Sequence, residues 1–172
     1  MKLNKMIIAI TGTPGTGKTT LSKILSKRIE ADIISVSDFV KKSHLYESYD
    51  RALKTYIVDE KKLAKELERY IKTEFKDKNV IVEGHLSHYL KKGFVDLCIV
   101  LRCSITELNK RLSKRKYSKA KIKENLESEI FDICEEEARE FQKVVVLIDT
   151  TNKKANAVAS EAYDIIKGLK WI

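Results

Sequence analysis

A glycine-rich segment near the amino terminus, GTPGTGKT at residues 12–19, constrains this chain more than any other feature. It matches the pattern GxxxxGK[ST] at every fixed position, after an apolar run and before a helical pattern. Glycines let backbone N–H groups close around a phosphate, and the helix start adds partial positive charge. Lys18 can reach the β and γ phosphates of a nucleotide, and Thr19 offers a hydroxyl to Mg²⁺. A turn that merely links strand to helix is the alternative. The predicted phosphate-binding residues are Gly12, Gly15, Thr16, Gly17, Lys18 and Thr19.

Five short apolar runs alternate with helical patterns along the rest of the chain. Runs that are apolar throughout are typical of strands covered on both faces of a parallel sheet. The intervening patterns place apolar residues about four apart on helical stripes. The sequence therefore predicts an α/β fold with a five-stranded parallel sheet. The predicted strands are 6–11, 32–36, 79–83, 96–101 and 144–149, and the stripes are Leu21-Leu25-Ile29, Leu63-Leu67-Ile71-Phe75, Ile122-Leu126-Ile130-Ile133-Phe141 and Val158-Ala162-Ile165-Leu169.

The composition of the chain limits the classes of protein to which it can belong. With 172 residues, 43% of them hydrophobic, the chain can bury a core and is predicted to form one domain. No apolar run approaches the roughly 18 residues of a membrane span, so we expect a cytoplasmic protein with no membrane partner. The net charge of +9 favours anionic partners such as nucleotides and RNA. Cys98, Cys103 and Cys134 form no CxxC pair and are predicted to be buried small hydrophobes.

Polar residues follow two of the predicted strands. Ligands of parallel sheets bind at the carboxyl ends of strands, so Glu83 is predicted to face the phosphate loop and hold Mg²⁺ through water. His85 could orient a water molecule or a phosphate oxygen. The alternatives are a helix cap for Glu83 and a loop histidine without a catalytic role. Asp38 is equally suited to capping a helix and to touching substrate. His44 and His88 are expected at the surface.

Two stretches fit a simple alternation of strands and helices poorly. Residues 38–58 mix tyrosines with polar residues and are predicted to form a helical insertion. Residues 106–123 are dense in Lys and Arg, too dense for a core segment. Within them Arg111 and Arg115 are four apart and would share one helix face, a suitable pair for gripping a polyphosphate. A solvated helix face is the alternative.

Several motifs, taken in order, resemble those of the adenylate kinase isoenzyme 6 family. The matching segments are GTPGTGKTT at 12–20, VSD at 36–38, LYESYD at 45–50, IVDE at 57–60, VEGH at 82–85, LR at 101–102 and RLSKRKY at 111–117. The resemblance covers nearly the whole chain. It implies a three-layer P-loop NTPase fold of the nucleoside monophosphate kinase type. In that family the acid before the histidine is often Asp, here Glu83, and the residue after the lid arginine is usually Gly, here Lys116.

The resemblance also assigns residues to a donor site and an acceptor site. It implies a monophosphate-binding insertion over about 35–58 and a short lid over about 114–124, with Arg115 as an ATP contact. Asp38 and Arg111 are the expected substrate-binding residues. Thr19 and Glu83 are the expected magnesium contacts. The ATP phosphate contacts implied by the resemblance are Gly15, Gly17, Lys18, Thr19 and Thr20.

The implied activity is adenylate kinase, Mg-ATP + AMP giving two ADP, with Lys18, His85 and Arg115 as catalytic residues. A short lid excludes water imperfectly, so we also expect some ATPase activity, in which His85 is suspected. The family also acts in small ribosomal subunit maturation, which implies a small-subunit ribosomal protein, rRNA or the pre-40S or 30S particle as partner. It implies a nuclear location as well if the source is eukaryotic. Two alternatives stay open: an ATP-switched assembly factor without kinase activity, and a P-loop kinase for another small acceptor.

Overall fold

A computed structural model describes residues 5–169 of the chain. The strands are β1 (Ile7–Gly12), β2 (Ala31–Ser35), β3 (Ser48–Asp50), β4 (Thr55–Ile57), β5 (Asn79–Glu83), β6 (Leu97–Arg102) and β7 (Val145–Asp149). The helices are α1 (Lys18–Ile29), α2 (Val36–Lys42), α3 (Glu60–Glu74), α4 (Ile105–Lys114), α5 (Lys119–Ile130), α6 (Ile133–Phe141) and α7 (Ala155–Gly168). One turn of 3₁₀ helix covers Ser87–Tyr89. Among these residues, no helix combines the length and apolar character needed to cross a membrane.

The central sheet has five parallel strands in the order β2-β5-β1-β6-β7. Each strand lies within one residue of the range predicted from its apolar run, so the predicted α/β fold is confirmed. Side chains alternate between two cores, one against α2, α3 and α6 and the other against α1 and α7. The register sets Ile10 beside Glu83 and Gly12 beside Leu101. The carboxyl ends of the three central strands therefore meet at one edge.

The predicted apolar stripe from Ile122 to Phe141 is wrong as a single helix. Asp132 adopts a left-handed conformation with φ of 54° and separates α5 from α6. The break turns Ile130 and Ile133 outward, and their exposed fractions are 55% and 41%. In α7 the buried stripe runs through Ala162 and Ile166, whereas Leu169 is 38% exposed.

The insertion after β2 is helical only in part. Helix α2 is followed by a short antiparallel hairpin in which β3 pairs with β4. Tyr56 holds the hairpin together, because its ring centre lies 4.6 Å from that of Tyr46 and 5.0 Å from that of Tyr49. Strands of three residues with mixed polar sequence give almost no periodic signal, which is why the prediction of a helical insertion over 38–58 was wrong for its second half.

The segment 106–123, rich in Lys and Arg, contributes residues to the core. The prediction that it is too highly charged to be a core segment was therefore wrong in part. Helix α4 begins after Ser104, whose hydroxyl accepts from the Glu107 amide, and it buries Leu108 and Leu112 completely. These two leucines pack with Cys103 beneath the glycine-rich loop. Their spacing of four matches a helix, but the surrounding Lys and Arg residues hide it in the sequence. The three cysteines are buried and free, as predicted.

Candidate active site

The glycine-rich loop leaves β1 at the centre of the sheet edge and enters α1. Gly12, Gly15 and Gly17 have φ angles of 135°, 99° and 106°, which L side chains rarely adopt. A Cβ on Gly12 would lie 2.5 Å from the Leu101 carbonyl oxygen, and one on Gly15 would lie 2.9 Å from Leu108 Cδ1. The tight packing of β6 and α4 against the loop therefore requires glycine at both positions.

Lys18 is the cation at the centre of the loop. Its Nζ donates to the carbonyl oxygens of Gly12 at 2.7 Å and Thr13 at 3.0 Å. Desolvation lowers the pKa of the Lys18 ammonium to about 8, and the nearby carboxylates of Glu83 and Glu129 oppose this shift. A bound phosphate would supply negative charge that raises this pKa again and favours the ammonium form.

Thr19 and Glu83 bring two oxygen ligands together beside this lysine. The Thr19 hydroxyl donates to Glu83 Oε2 at 3.2 Å, and Glu83, at the end of β5, is only 7% exposed. Within residues 5–169 no three His, Cys, Asp or Glu side chains converge as a metal site. Mg²⁺ is usually bound by one or two protein oxygens and completed by water and phosphate oxygens. The Thr19 and Glu83 pair fits that requirement.

A cavity of about 800 Å³ opens over the loop. Its walls come from the loop itself, from α2 and the hairpin, from the segment after β5, and from α5 and α6. Cationic side chains reach it from three of these walls, and Lys121 on α5 also donates to the Lys54 carbonyl oxygen at 3.3 Å across its mouth. The cationic lining residues other than Lys18 are Lys41, Lys54, Arg115 and Lys121. Four carboxylate side chains also line the cavity, those of Glu60, Glu83, Glu124 and Glu137. The volume is in the range of small-molecule sites, and the cations suit a polyphosphate.

His85 projects into the same cavity, two residues beyond Glu83. The residue is exposed to solvent within the cavity. Desolvation first, and the charges of Lys18, His88 and Lys121 next, lower the pKa of His85 to about 4. The imidazole is therefore neutral at physiological pH and can accept a hydrogen bond.

The two arginines of the basic segment are separated, not paired. Helix α4 ends at Lys114, so Arg115 leaves the helical path and lines the cavity. Arg111 stays on the helix, where it pairs with Glu107 at 3.0 Å and donates to the Thr150 carbonyl oxygen at 2.9 Å. Arg111 therefore lies behind the loop and outside the cavity lining, and its contact with substrate stays a prediction.

Five other predicted contacts also lie outside the cavity lining, namely Gly12, Thr16, Gly17, Thr20 and Asp38. Asp38 is exposed in the first turn of α2 and borders a second groove with Lys42 and Tyr70, and this groove shares Thr19, Ser37 and Glu83 with the cavity. Its amide donates to Ser35 Oγ, so Ser35 is the helix cap and not Asp38. Thr16 buries its hydroxyl, which donates to the Thr13 carbonyl oxygen at 2.9 Å. Thr20 is exposed on α1.

Sequence reasoning missed a buried histidine beside the cavity. His88 was expected at the surface but is fully buried, whereas His44 is exposed as predicted. His88 Nδ1 lies 2.8 Å from Thr11 Oγ1, and its Nε2 lies 3.0 Å from Glu137 Oε2. The hydrogen bond from His88 lowers the pKa of Glu137, which lines the cavity. No sequence signal marks this pair, because its members are 49 residues apart.

Comparison with known proteins assigns the chain to a family. The family profile described as "AAA domain" matches residues 8–132, which is more than half of the chain. The chain belongs to the AAA domain family. Two archaeal relatives of this AAA-domain chain carry the name "Putative adenylate kinase". That of Methanocaldococcus jannaschii is 40% identical over 165 residues, and that of Thermococcus gammatolerans is 40% identical over 166 residues. Each alignment covers 96% of this chain and 88% of the relative.

Solved structures share the fold of this AAA-domain protein at low sequence identity. Shikimate kinase from Acinetobacter baumannii, in complex with shikimate, matches with a TM-score of 0.66 and 13% identity, over 97% of this chain and 96% of that one. Deoxyadenosine kinase from M. mycoides, with bound dATP, matches with a TM-score of 0.60 and 16% identity, over 94% of this chain and 100% of that one. The fold is therefore that of P-loop kinases.

Proposed function

We propose that this chain is an adenylate kinase, which transfers the terminal phosphoryl group of ATP to AMP and yields two ADP. The proposal rests on one observation: a single cavity is lined both by the glycine-rich loop and by the insertion after β2. Lys18 and the Thr19 and Glu83 pair lie on one wall, and the insertion after β2 lies on another. The names of the archaeal relatives support the choice of AMP as acceptor.

In the proposed reaction, an AMP phosphate oxygen bonds to the γ-phosphorus as the bond from that phosphorus to the β–γ bridging oxygen breaks. Lys18 and Arg115 offset the negative charge that spreads over the transferred group. Thr19 and Glu83 would hold Mg²⁺, which would supply positive charge against the phosphates of the donor. The loop N–H groups and the start of α1 position the phosphates of the donor.

We place the acceptor in residues 35–58. Lys41 and Lys54 offer positive charge to a monophosphate, and Tyr49 and Tyr56 offer aromatic surface to a base. The lid role is assigned to residues 114–124, from which Arg115 and Lys121 line the cavity. Closure of this segment over bound nucleotides would exclude water from the transfer step.

We further propose a slow ATPase activity that depends on His85. The neutral imidazole can accept a hydrogen bond from a water molecule near the γ-phosphate. His85→Gly should therefore reduce ATP hydrolysis without AMP at least about fivefold more than it reduces AMP phosphorylation. Phosphate release and ADP formation, measured in parallel, give the two rates. Equal losses would make His85 a positioning residue for both reactions, and no loss would remove it from the mechanism.

A role in small ribosomal subunit maturation is a second proposal. It is supported by the sequence resemblance to the isoenzyme 6 family and by the net charge of +9, which favours rRNA or a ribosomal particle as partner. This proposed role implies a cytoplasmic location, and a nuclear location as well if the source is a eukaryote. Pull-down of a small-subunit ribosomal protein with and without ATP tests this role independently of kinase activity.

The kinase proposal is tested with a ligand that joins two adenosines through five phosphates. Such a ligand spans both proposed sites. Because its two adenosines are already joined, its binding loses less translational and rotational entropy than the binding of two separate nucleotides. We expect calorimetry with Mg²⁺ to show binding at least about a hundredfold tighter than that of ATP or AMP alone. Binding no tighter than that of ATP, together with no phosphorylation of any nucleoside monophosphate, would contradict the kinase proposal. An ATP-switched assembly factor or a kinase for another acceptor would then be favoured.

A further inference from the structure

A buried hydrogen bond joins the glycine-rich loop to helix α5. Thr13 Oγ1 donates to Glu129 Oε2 at 2.6 Å, and the two residues are 116 positions apart in the chain. Thr13 is fully buried and Glu129 is 3% exposed. Glu129 belongs to the helix that directly follows the segment carrying Arg115. The bond therefore connects the proposed donor site to the helix whose first residues belong to the proposed lid.

The Glu129 carboxylate is fixed on its other side by the end of β6. Its Oε1 accepts from Arg102 Nε at 3.0 Å and from the Cys103 amide at 2.9 Å. Arg102 also pairs with Asp132 and, at 2.7 Å, with Glu135. A buried carboxylate with three donors and a paired guanidinium has little freedom to move. It is therefore a rigid support for whatever it holds.

Thr13 is the residue whose carbonyl oxygen organises the loop. This oxygen accepts from Lys18 Nζ at 3.0 Å, from the Thr16 amide at 3.2 Å and from Thr16 Oγ1 at 2.9 Å. Rotation of the Thr13 peptide would displace all three donors together. A support that fixes Thr13 consequently also fixes the resting position of Lys18.

We propose that Glu129 is a positioning residue that sets the loop for ATP through Thr13 and couples the loop to α5. This inference rests on the proposed ATP site. Charge alone predicts the opposite effect, because a carboxylate near bound phosphates repels them. Arg102 offsets that repulsion, and the hydrogen bond to Thr13 is the contact through which Glu129 acts on the loop.

The test compares the binding of ATP with that of AMP. This comparison separates a specific effect of the Thr13–Glu129 hydrogen bond from a general loss of stability. Thr13→Val removes the hydroxyl at nearly constant volume, and we expect about a tenfold weaker ATP affinity by calorimetry without acceptor. AMP affinity should stay within about twofold, since residues 35–58 are untouched. Thr13→Ser restores the donor and should return ATP affinity to within about threefold of wild type. Glu127→Gln is the matched control, because Glu127 is exposed on the same helix and should leave both affinities unchanged.

Glu129→Gln is the second variant. It distinguishes positioning of the loop through the hydrogen bond to Thr13 from simple repulsion between the Glu129 carboxylate and the phosphates. Weaker ATP binding with unchanged AMP binding would support positioning by Glu129. Tighter ATP binding in Glu129→Gln, or unchanged ATP binding in Thr13→Val, would overturn it. Equal weakening of ATP and AMP in the variants would also overturn it, as the mark of a general structural role. Absence of ATP binding by the wild-type protein would instead contradict the proposed function.

Discussion

Replacing Lys18 by alanine should reduce phosphoryl transfer from ATP by about a hundred- to a thousandfold. The ammonium lies at the centre of the loop, where negative charge grows on the β–γ bridging oxygen as the bond breaks. Its loss removes stabilisation that is largest in the transition state, so kcat should fall more than KM rises. Coupled measurement of ADP formation at saturating ATP and AMP gives the effect directly.

The fold should survive this substitution, because Lys18 contributes only two hydrogen bonds to loop carbonyls and its ammonium is partly desolvated at a cost. Thermal unfolding should therefore change little. Lys27→Ala is the control, since Lys27 is exposed near the end of the same helix. Activity of Lys18→Ala within about threefold of wild type would contradict the assignment of the loop to ATP phosphates.

The parts of this protein that could be predicted are those encoded by neighbouring residues. The strands of the parallel sheet are buried on both faces, so their apolar runs stand out in the sequence. The glycine-rich loop is likewise local, since eight consecutive residues supply both the backbone geometry and the cation. Glu83 was predicted to face the phosphate loop because parallel strands bring their carboxyl ends to one edge, and its Oε2 lies 3.2 Å from the Thr19 hydroxyl.

The parts that escaped prediction depend on where helices end and on distant partners. Arg111 and Arg115 have helical spacing, but α4 ends at Lys114 and only Arg115 reaches the cavity. Asp132 shows no sequence sign of a left-handed conformation, yet it divides α5 from α6. Glu129 finds Thr13 from 116 residues away, a distance over which periodicity carries no information.

The second large effect on activity is expected from substitution of Glu83, because of the charges around this residue. Glu83 places a buried carboxylate beside the loop that is proposed to hold several phosphate charges. Such a group opposes nucleotide binding unless a cation lies between carboxylate and phosphate. Lys18 offsets part of this repulsion, and a divalent cation at the proposed Mg²⁺ site, beside the Thr19 hydroxyl, would offset more of it.

Glu83→Gln should lower kcat by about a hundredfold at fixed Mg²⁺ and shift the midpoint of the Mg²⁺ titration to higher concentration. Glutamine keeps a hydrogen bond with Thr19 but loses the charge that holds the cation. Calorimetry of ATP binding should show a smaller enhancement by Mg²⁺ than in wild type. Glu74→Gln is the control, because Glu74 is exposed at the end of α3 and lies outside the cavity lining, and its titration should match that of wild type.

Glu83→Asp decides how the carboxylate reaches the cation. Aspartate is shorter by one methylene, so a direct contact made by glutamate would be lost, whereas a contact through water can adjust. We expect the Asp variant to keep activity within about tenfold of wild type, consistent with a water-mediated contact. A loss as large as that of Glu83→Gln would indicate direct coordination. An unchanged Mg²⁺ titration in Glu83→Gln would contradict the metal site itself.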